Sequence, residues 1–254
     1  MKMKIAALQI DIAWENRRAN FEKVSQLARQ AAEQGADFLL LPEMFATGFT
    51  MNTEVSAEPL NGETTAFIRE LARRNKMGVG GGLVLRRSSE KPQNCALFVD
   101  RDGEDLALYA KIHLFSYSQE NEHHTPGEEP APFRFEGIRC AGFICYDLRF
   151  PELFRAVCRD TDAVFVIASW PAVRAEHWST LLRARAIENQ LYVIGVNRVG
   201  QGDNLRYNGG TAVIDPMGAV QMETWDEEAI VWAEITPETV QNVRTVMPFL
   251  DDMK

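Results

Sequence analysis

Three stretches of the chain are almost continuously apolar: "FLLLP" at 38–42, the run 138–145 that closes on "CAGFIC", and the run 163–169 built on "AVFVIA". A strand with one solvated face alternates apolar and polar residues. Strands that do not alternate are covered on both faces. Two of these runs lead into segments of helical spacing, about 151–159 and 176–190, and a further helical pattern (Phe67, Ile68, Leu71, Ala72) precedes the strand-like "MGVGGGLVL". Helices must therefore cover a sheet that is apolar on both sides. That makes a layered α/β sandwich more natural than an open barrel.

The rest of the chain fits the same class. Residues 4–12 alternate and read as a strand. Residues 16–34 place Phe21, Val24, Leu27, Ala28, Ala31 and Ala32 at helical spacing, with Gly35 as a stop. "ALFVDRDGEDLALY" reads as two strands joined at Asp102-Gly103. After a polar segment at 116–132, strands are expected at 138–145, 163–169 and 192–198. The C-terminal part is β again, turning at "NGG" (208–210) and "DPMG" (215–218). No repeat, low-complexity tract or linker interrupts the chain. Residues 1–254 are expected to form one domain, with a C-terminal tail (about 237–254) whose apolar residues serve oligomerisation or fold back on the domain.

Charge narrows the function classes. A formal net charge of −9 leaves no basic excess to neutralise phosphates, which argues against nucleic acid and against an anionic membrane surface. Cys95, Cys140, Cys145 and Cys158 lack CxxC spacing, so neither a zinc site nor a redox dithiol is indicated. The start, "MKMKIAALQIDI", reads as a first strand and not a signal peptide, and no stretch reaches membrane-spanning length. Reduced thiols in the cytoplasm are the expectation.

Three polar groups stand where apolar strands end. Glu43 closes "DFLLLPE", Lys111 follows "LALYA", and Cys145 closes "CAGFIC" and heads "CYDLRFPE". Ligand and catalytic groups gather beyond strand ends in α/β folds. Singly, each has an ordinary structural reading: a solvated carboxylate, a surface lysine, an inert packed thiol. Together, and with their local contexts "LLLPEMF", "YAKIHLF" and "GFICYDLRFPE", they resemble the nitrilase superfamily of carbon–nitrogen hydrolases. "ASWPA" (168–172), "LLRARAIENQLYVIGVNRVG" (181–200) and "GGTAVIDPMG" (209–218) extend the resemblance nearly end to end.

The resemblance implies a four-layer α-β-β-α sandwich and an amidase-type reaction without metal or organic cofactor. Cys145 is the implied nucleophile and Glu43 the base. Lys111 and the backbone N–H of Tyr146 stabilise the oxyanion. A second active-site glutamate is implied in "SYSQENEHHTPGEE", where spacing favours Glu120 over Glu122; it orients Lys111 or assists the attacking water. The adjacent His123 and His124 read as part of a polar loop. Asp147 and Arg149 read as a turn-fixing ion pair, Pro151 as a helix start, and Arg185 with Glu188 as a structural pair.

The flavour of "PEMFATGF", "HLFSYSQENEHHTPG" and "ASWPAVRAEHW" is similar to the bacterial ω-amidase-like branch, which implies a small carboxylate-bearing amide such as 2-oxoglutaramate or 2-oxosuccinamate. Arg174 is the first candidate for binding that carboxylate and Arg149 the second, with Trp170 walling the pocket. A carbamoylase or nitrilase using the same triad, and a non-catalytic binding module, are the alternatives. The resemblance also implies a homodimer or higher homo-oligomer.

Overall fold

In the computed structural model, which describes residues 2–87 and 91–253, the three apolar runs are central strands. Phe38–Leu40 and Ala163–Ala168 are wholly buried, and Ile138–Ile144 is buried except at Arg139.

The strands form two seven-stranded sheets. The first contains β1 (Met3–Gln9), β2 (Phe38–Leu40), β3 (Ala57–Glu58), β4 (Gly78–Leu85), β5 (Gln93–Val99) and β6 (Asp105–Ala110). The second contains β7 (Phe133–Phe135), β8 (Ile138–Ile144), β9 (Ala163–Ala168), β10 (Tyr192–Asn197), β11 (Val199–Gly202), β12 (Leu205–Ile214) and β13 (Val220–Trp225). The last strand, β14 (Ala229–Ile235), returns to the first sheet antiparallel to β1. In the first sheet β1, β2 and β4 run parallel, with β5 and β6 antiparallel beyond them. In the second, β8, β9 and β10 run parallel.

The helices are α1 (Arg17–Glu33), α2 (Thr53–Ser56), α3 (Glu63–Asn75), α4 (Glu120–His123), α5 (Pro151–Val157), α6 (Ala175–Asn189) and α7 (Pro237–Val246). Side-chain alternation along the first sheet separates two cores. Ile5, Ala7, Phe38, Leu40, Ala96 and Phe98 face the second sheet, where Phe133 and Phe165 meet Phe38 and Phe98. Ala6, Leu8, Leu39, Cys95, Leu97 and Val99 face outward, onto Val24 and Ala28 of α1 and Ile68 and Leu71 of α3. Phe154 of α5 and Trp178, Leu182 and Ala186 of α6 cover the other sheet. The order is thus helices, sheet, sheet, helices, as the resemblance implied.

Element boundaries shift little. The first strand stops at Gln9, before the expected 12, because the chain then bridges to the other sheet: Val199 N–H donates to the Ile10 carbonyl. The strand 138–145 loses Cys145, which opens a 3₁₀ turn over Cys145–Arg149. Pro151 does start a helix, and Arg185 Nη1 lies 2.9 Å from Glu188 Oε1. The four cysteines are free and buried.

Part of the tail folds back on the domain. Val240 and Leu250 are buried, and the Arg244 guanidinium donates to the carbonyls of Cys158, Thr161 and Gln190, strapping the tail to its own domain. Val246 and Phe249 remain exposed. Lys254, the end of the tail, lies outside the described residues.

Candidate active site

Both sheets deliver polar groups at the C-terminal ends of their strands. Glu43 follows β2 through Pro42, Lys111 follows β6, Cys145 follows β8 and Ser169 follows β9. Asn94 sits at the start of β5, beside the end of β6, and its carbonyl accepts the Lys111 backbone N–H at 2.8 Å.

Glu43, Lys111 and Glu120 are buried and bonded as one cluster. Lys111 Nζ lies 3.1 Å from Glu43 Oε1, and 3.0 and 2.8 Å from the two oxygens of Glu120. Glu120, the first residue of α4, also accepts the Phe115 backbone N–H at 2.6 Å. Glu122 is exposed on the same short helix and makes no such contact, so the structure brings Glu120 and not Glu122 to the lysine. Glu43 Oε2 accepts the Ser169 backbone N–H at 2.8 Å, and that N–H also faces the Cys145 sulfur.

Electrostatics sets distinct protonation states. Burial would discharge Lys111, but Glu120 and Glu43 outweigh it and hold the ammonium. Burial raises Glu43 above the carboxylate range, with Lys111 opposing and the Glu120 charge adding to the rise. Burial acts on Glu120 in the same sense, yet Lys111, Asn94 and the Phe115 N–H hold it below the usual range. Burial, and then the Glu43 charge, push the Cys145 thiol well up despite Lys111. The cluster therefore holds a thiol and a carboxyl group of raised proton affinity in one buried site, with Lys111 opposing both shifts.

The turn that carries Cys145 is built locally. Cys145 has φ = 47°, the left-handed region that costs a side-chain-bearing residue energy. Asp147 beneath it is buried and fully engaged. Its Oδ2 accepts from Tyr109 Oη at 2.8 Å and from the Ile144 N–H at 3.1 Å, and its Oδ1 accepts from the His113 N–H at 2.9 Å. This corrects the expected Asp147–Arg149 pair. Residues two apart in the 3₁₀ turn point apart, and Arg149 instead lies over Trp170, 4.7 Å from the ring centroid, with Nη2 3.2 Å from His177 Nδ1.

Above the cysteine lies a pocket of about 600 Å³ of empty space lined by Phe49, Phe115, Tyr146, Trp170 and Tyr207, among others. Tyr146, Arg149, Trp170 and Arg174 all reach it, so each proposed binding residue is at the pocket. Arg174 stacks over Phe115 at 5.1 Å. Among the described residues, neither guanidinium pairs with a carboxylate, although Asp203 stands at the same mouth. Trp170 is both wall and core: it is 3% exposed, packs on Trp178, and donates from Nε1 to the Arg174 carbonyl at 2.8 Å.

Several functional positions escaped the sequence. Asn94 and Ser169 act through an amide and a backbone N–H inside apolar contexts ("QNCALF", "ASWPA"), where a lone polar residue gives no signal of direction. Tyr207 was unmarked; it packs under Arg198, 4.5 Å from guanidinium carbon to ring centroid. His124 corrects the polar-loop reading, for it is 1% exposed behind Glu120.

Comparison with known proteins agrees with this geometry. The chain belongs to the carbon–nitrogen hydrolase family, whose pattern matches residues 4–245. It is 33% identical to the 2-oxoglutaramate amidase of Bacillus subtilis, covering 100% of this chain and 98% of that one. It is 37% identical to an ω-amidase of Yersinia enterocolitica, covering 98% and 96% respectively. A solved CN-hydrolase superfamily protein of Xanthomonas campestris, which carries an arsenic adduct in its active site, superposes with a TM-score of 0.94 at 35% identity, covering 100% and 98% of the two chains.

Proposed function

We propose that the protein is an ω-amidase-like hydrolase that releases ammonia from a small carboxylate-bearing amide, of the 2-oxoglutaramate or 2-oxosuccinamate kind. The observation that carries the substrate class is the pair of carboxylate-free guanidiniums, Arg149 and Arg174, at the pocket that holds Cys145. Burial, together with the neighbouring Arg174 charge, lowers the Arg149 pKa, so a substrate anion there relieves an existing repulsion. The full-length similarity to a 2-oxoglutaramate amidase and an ω-amidase supports the same class.

Glu43 takes the thiol proton as Cys145 Sγ attacks the amide carbon. The oxyanion forms against the Lys111 ammonium and the Tyr146 backbone N–H. Collapse breaks the C–N bond, and the Glu43 proton leaves on ammonia. Water, deprotonated by Glu43, then attacks the thioester, releasing the carboxylic acid and restoring the thiol. Glu120 keeps Lys111 oriented throughout.

Four buried free thiols and the exposed tail residues Val246 and Phe249 support a cytoplasmic, homo-oligomeric enzyme with a single catalytic domain. Among the described residues no helix is long and apolar enough to cross a membrane.

The test is ammonia release from 2-oxoglutaramate, 2-oxosuccinamate, glutamine, N-carbamoyl amines, simple nitriles and a neutral short amide. The two oxo-acid amides are expected to lead. Arg174→Ala should lower kcat/KM for them about tenfold or more, roughly 1.4 kcal/mol, while hardly touching the neutral amide. Preference for carbamoyl amines or nitriles, or equal losses on charged and neutral substrates, contradicts the assignment.

A further inference from the structure

Asn94 has no role in the chemistry described above, yet it touches more of the cluster than any residue except Lys111. It is wholly buried on β5. Its Nδ2 donates to Glu43 Oε1 at 2.8 Å and to Glu120 Oε1 at 2.9 Å, one amide hydrogen for each carboxylate. Its backbone carbonyl accepts the Lys111 N–H. One residue thus ties together three of the four groups. The amide can face only this way, because the reverse orientation would set its oxygen against two carboxylates. The consequence is a buried Oδ1 with no partner among the described residues, a cost a merely structural asparagine would avoid by repacking.

We infer that Asn94 is a positioning residue of the reaction: its two amide hydrogens hold Glu43 and Glu120 on Lys111 and leave Glu43 Oε2 as the oxygen that takes the Cys145 proton. Oε1 is occupied by Asn94 and Lys111. Oε2 accepts the Ser169 N–H at the end of β9, beside the end of β8 that carries Cys145. The proton moves from sulfur to Glu43 and returns with the leaving nitrogen; Asn94 gains and loses nothing. The titratable groups around Glu43 are Lys111, Glu120 and Cys145, with Tyr207 close enough to sense its charge, and His124 lies behind Glu120. The asparagine donor is the uncharged member of this set, and it favours ionised Glu43.

The inference rests on the catalytic reading above, and the first readout of its test needs no amide substrate. In the wild type, the rate of Cys145 alkylation by iodoacetamide should fall as pH drops through the apparent pKa of the Cys145–Glu43 pair. Asn94→Ala removes a donor that favours the ionised carboxylate, so this acidic limb should move up by about half a pH unit or more. On whichever amide the wild type hydrolyses, kcat should fall roughly 30-fold or more with KM within about threefold. A structural role would lower Tm without moving the limb of the folded fraction. Asn94→Ser, which keeps one donor in a small side chain, is read in the same way and covers the case in which the alanine variant does not fold. A limb unmoved in the folded variant, or kcat within about threefold of wild type, overturns the inference. A wild type whose Cys145 resists iodoacetamide would instead count against the nucleophile assignment itself.

Discussion

His124 is the residue whose burial has the clearest thermodynamic signature. Neither ring nitrogen has a partner among the described residues, and burial pulls the imidazole pKa down to about 4. The unfolded chain, near the ordinary value of about 6.5, binds the proton first as pH falls. Stability contributed by the neutral ring is thus complete above pH 6.5 and lost towards pH 4, up to about 3 kcal/mol. His124→Leu should remove this loss. Denaturant titrations at pH 7 and pH 4.5 should show the variant gaining on the wild type at the lower pH, and a constant gap would refute the assignment. Glu43, Lys111 and Cys145 were legible because each ends an apolar strand, so position and chemistry point the same way. His124 and Asn94 were not, since direction in a loop or strand start is decided by tertiary packing. Asp147 and Arg149 were misread as partners because adjacency in sequence is not adjacency in a 3₁₀ turn.

At the scale of elements, two glycines on different strands separate site geometry from sheet packing. A Cβ on Gly82 of β4 would lie 2.6 Å from Glu43 Cα and Met44 N, both backbone atoms, so the turn carrying Glu43 must move. A Cβ on Gly142 of β8 would lie 2.2 Å from the Phe98 ring, at the sheet–sheet interface. Gly82→Ala should lower kcat of the folded protein roughly 100-fold, the usual effect of a displacement near 1 Å. Gly142→Ala should cost about 1–3 kcal/mol of stability while kcat per folded molecule changes little. Urea midpoints beside active-site titration measure both quantities, and the reverse pattern would contradict the assignment of the two contacts. The layers themselves were readable from apolar runs and alternation. The close approach of β4 to Glu43 was not, because "MGVGGGLVL" shows glycines without showing what they make room for.

On the scale of the whole molecule, the tail combines a buried strap with an exposed apolar remainder. Val246 is 78% exposed and Phe249 51%. Val246→Glu with Phe249→Glu should leave the fold intact, since neither side chain is buried, and should shift sedimentation toward the monomer. An unchanged oligomer would place the interface elsewhere, and a wild-type monomer at micromolar concentration would remove the proposal. The division of the catalytic cluster between the sheets reaches further. Glu43, Asn94 and Lys111 come from one sheet, Cys145 and Ser169 from the other. A chain in which only one sheet has formed carries an ordinary thiol, because the Glu43 carboxylate and the Lys111 ammonium arrive with the opposite layer. Assembly of the cluster is thereby coupled to completion of the fold. A newly made chain lacks the assembled cluster until its interior has closed, and the return of ammonia release after dilution from denaturant times the docking of one sheet on the other.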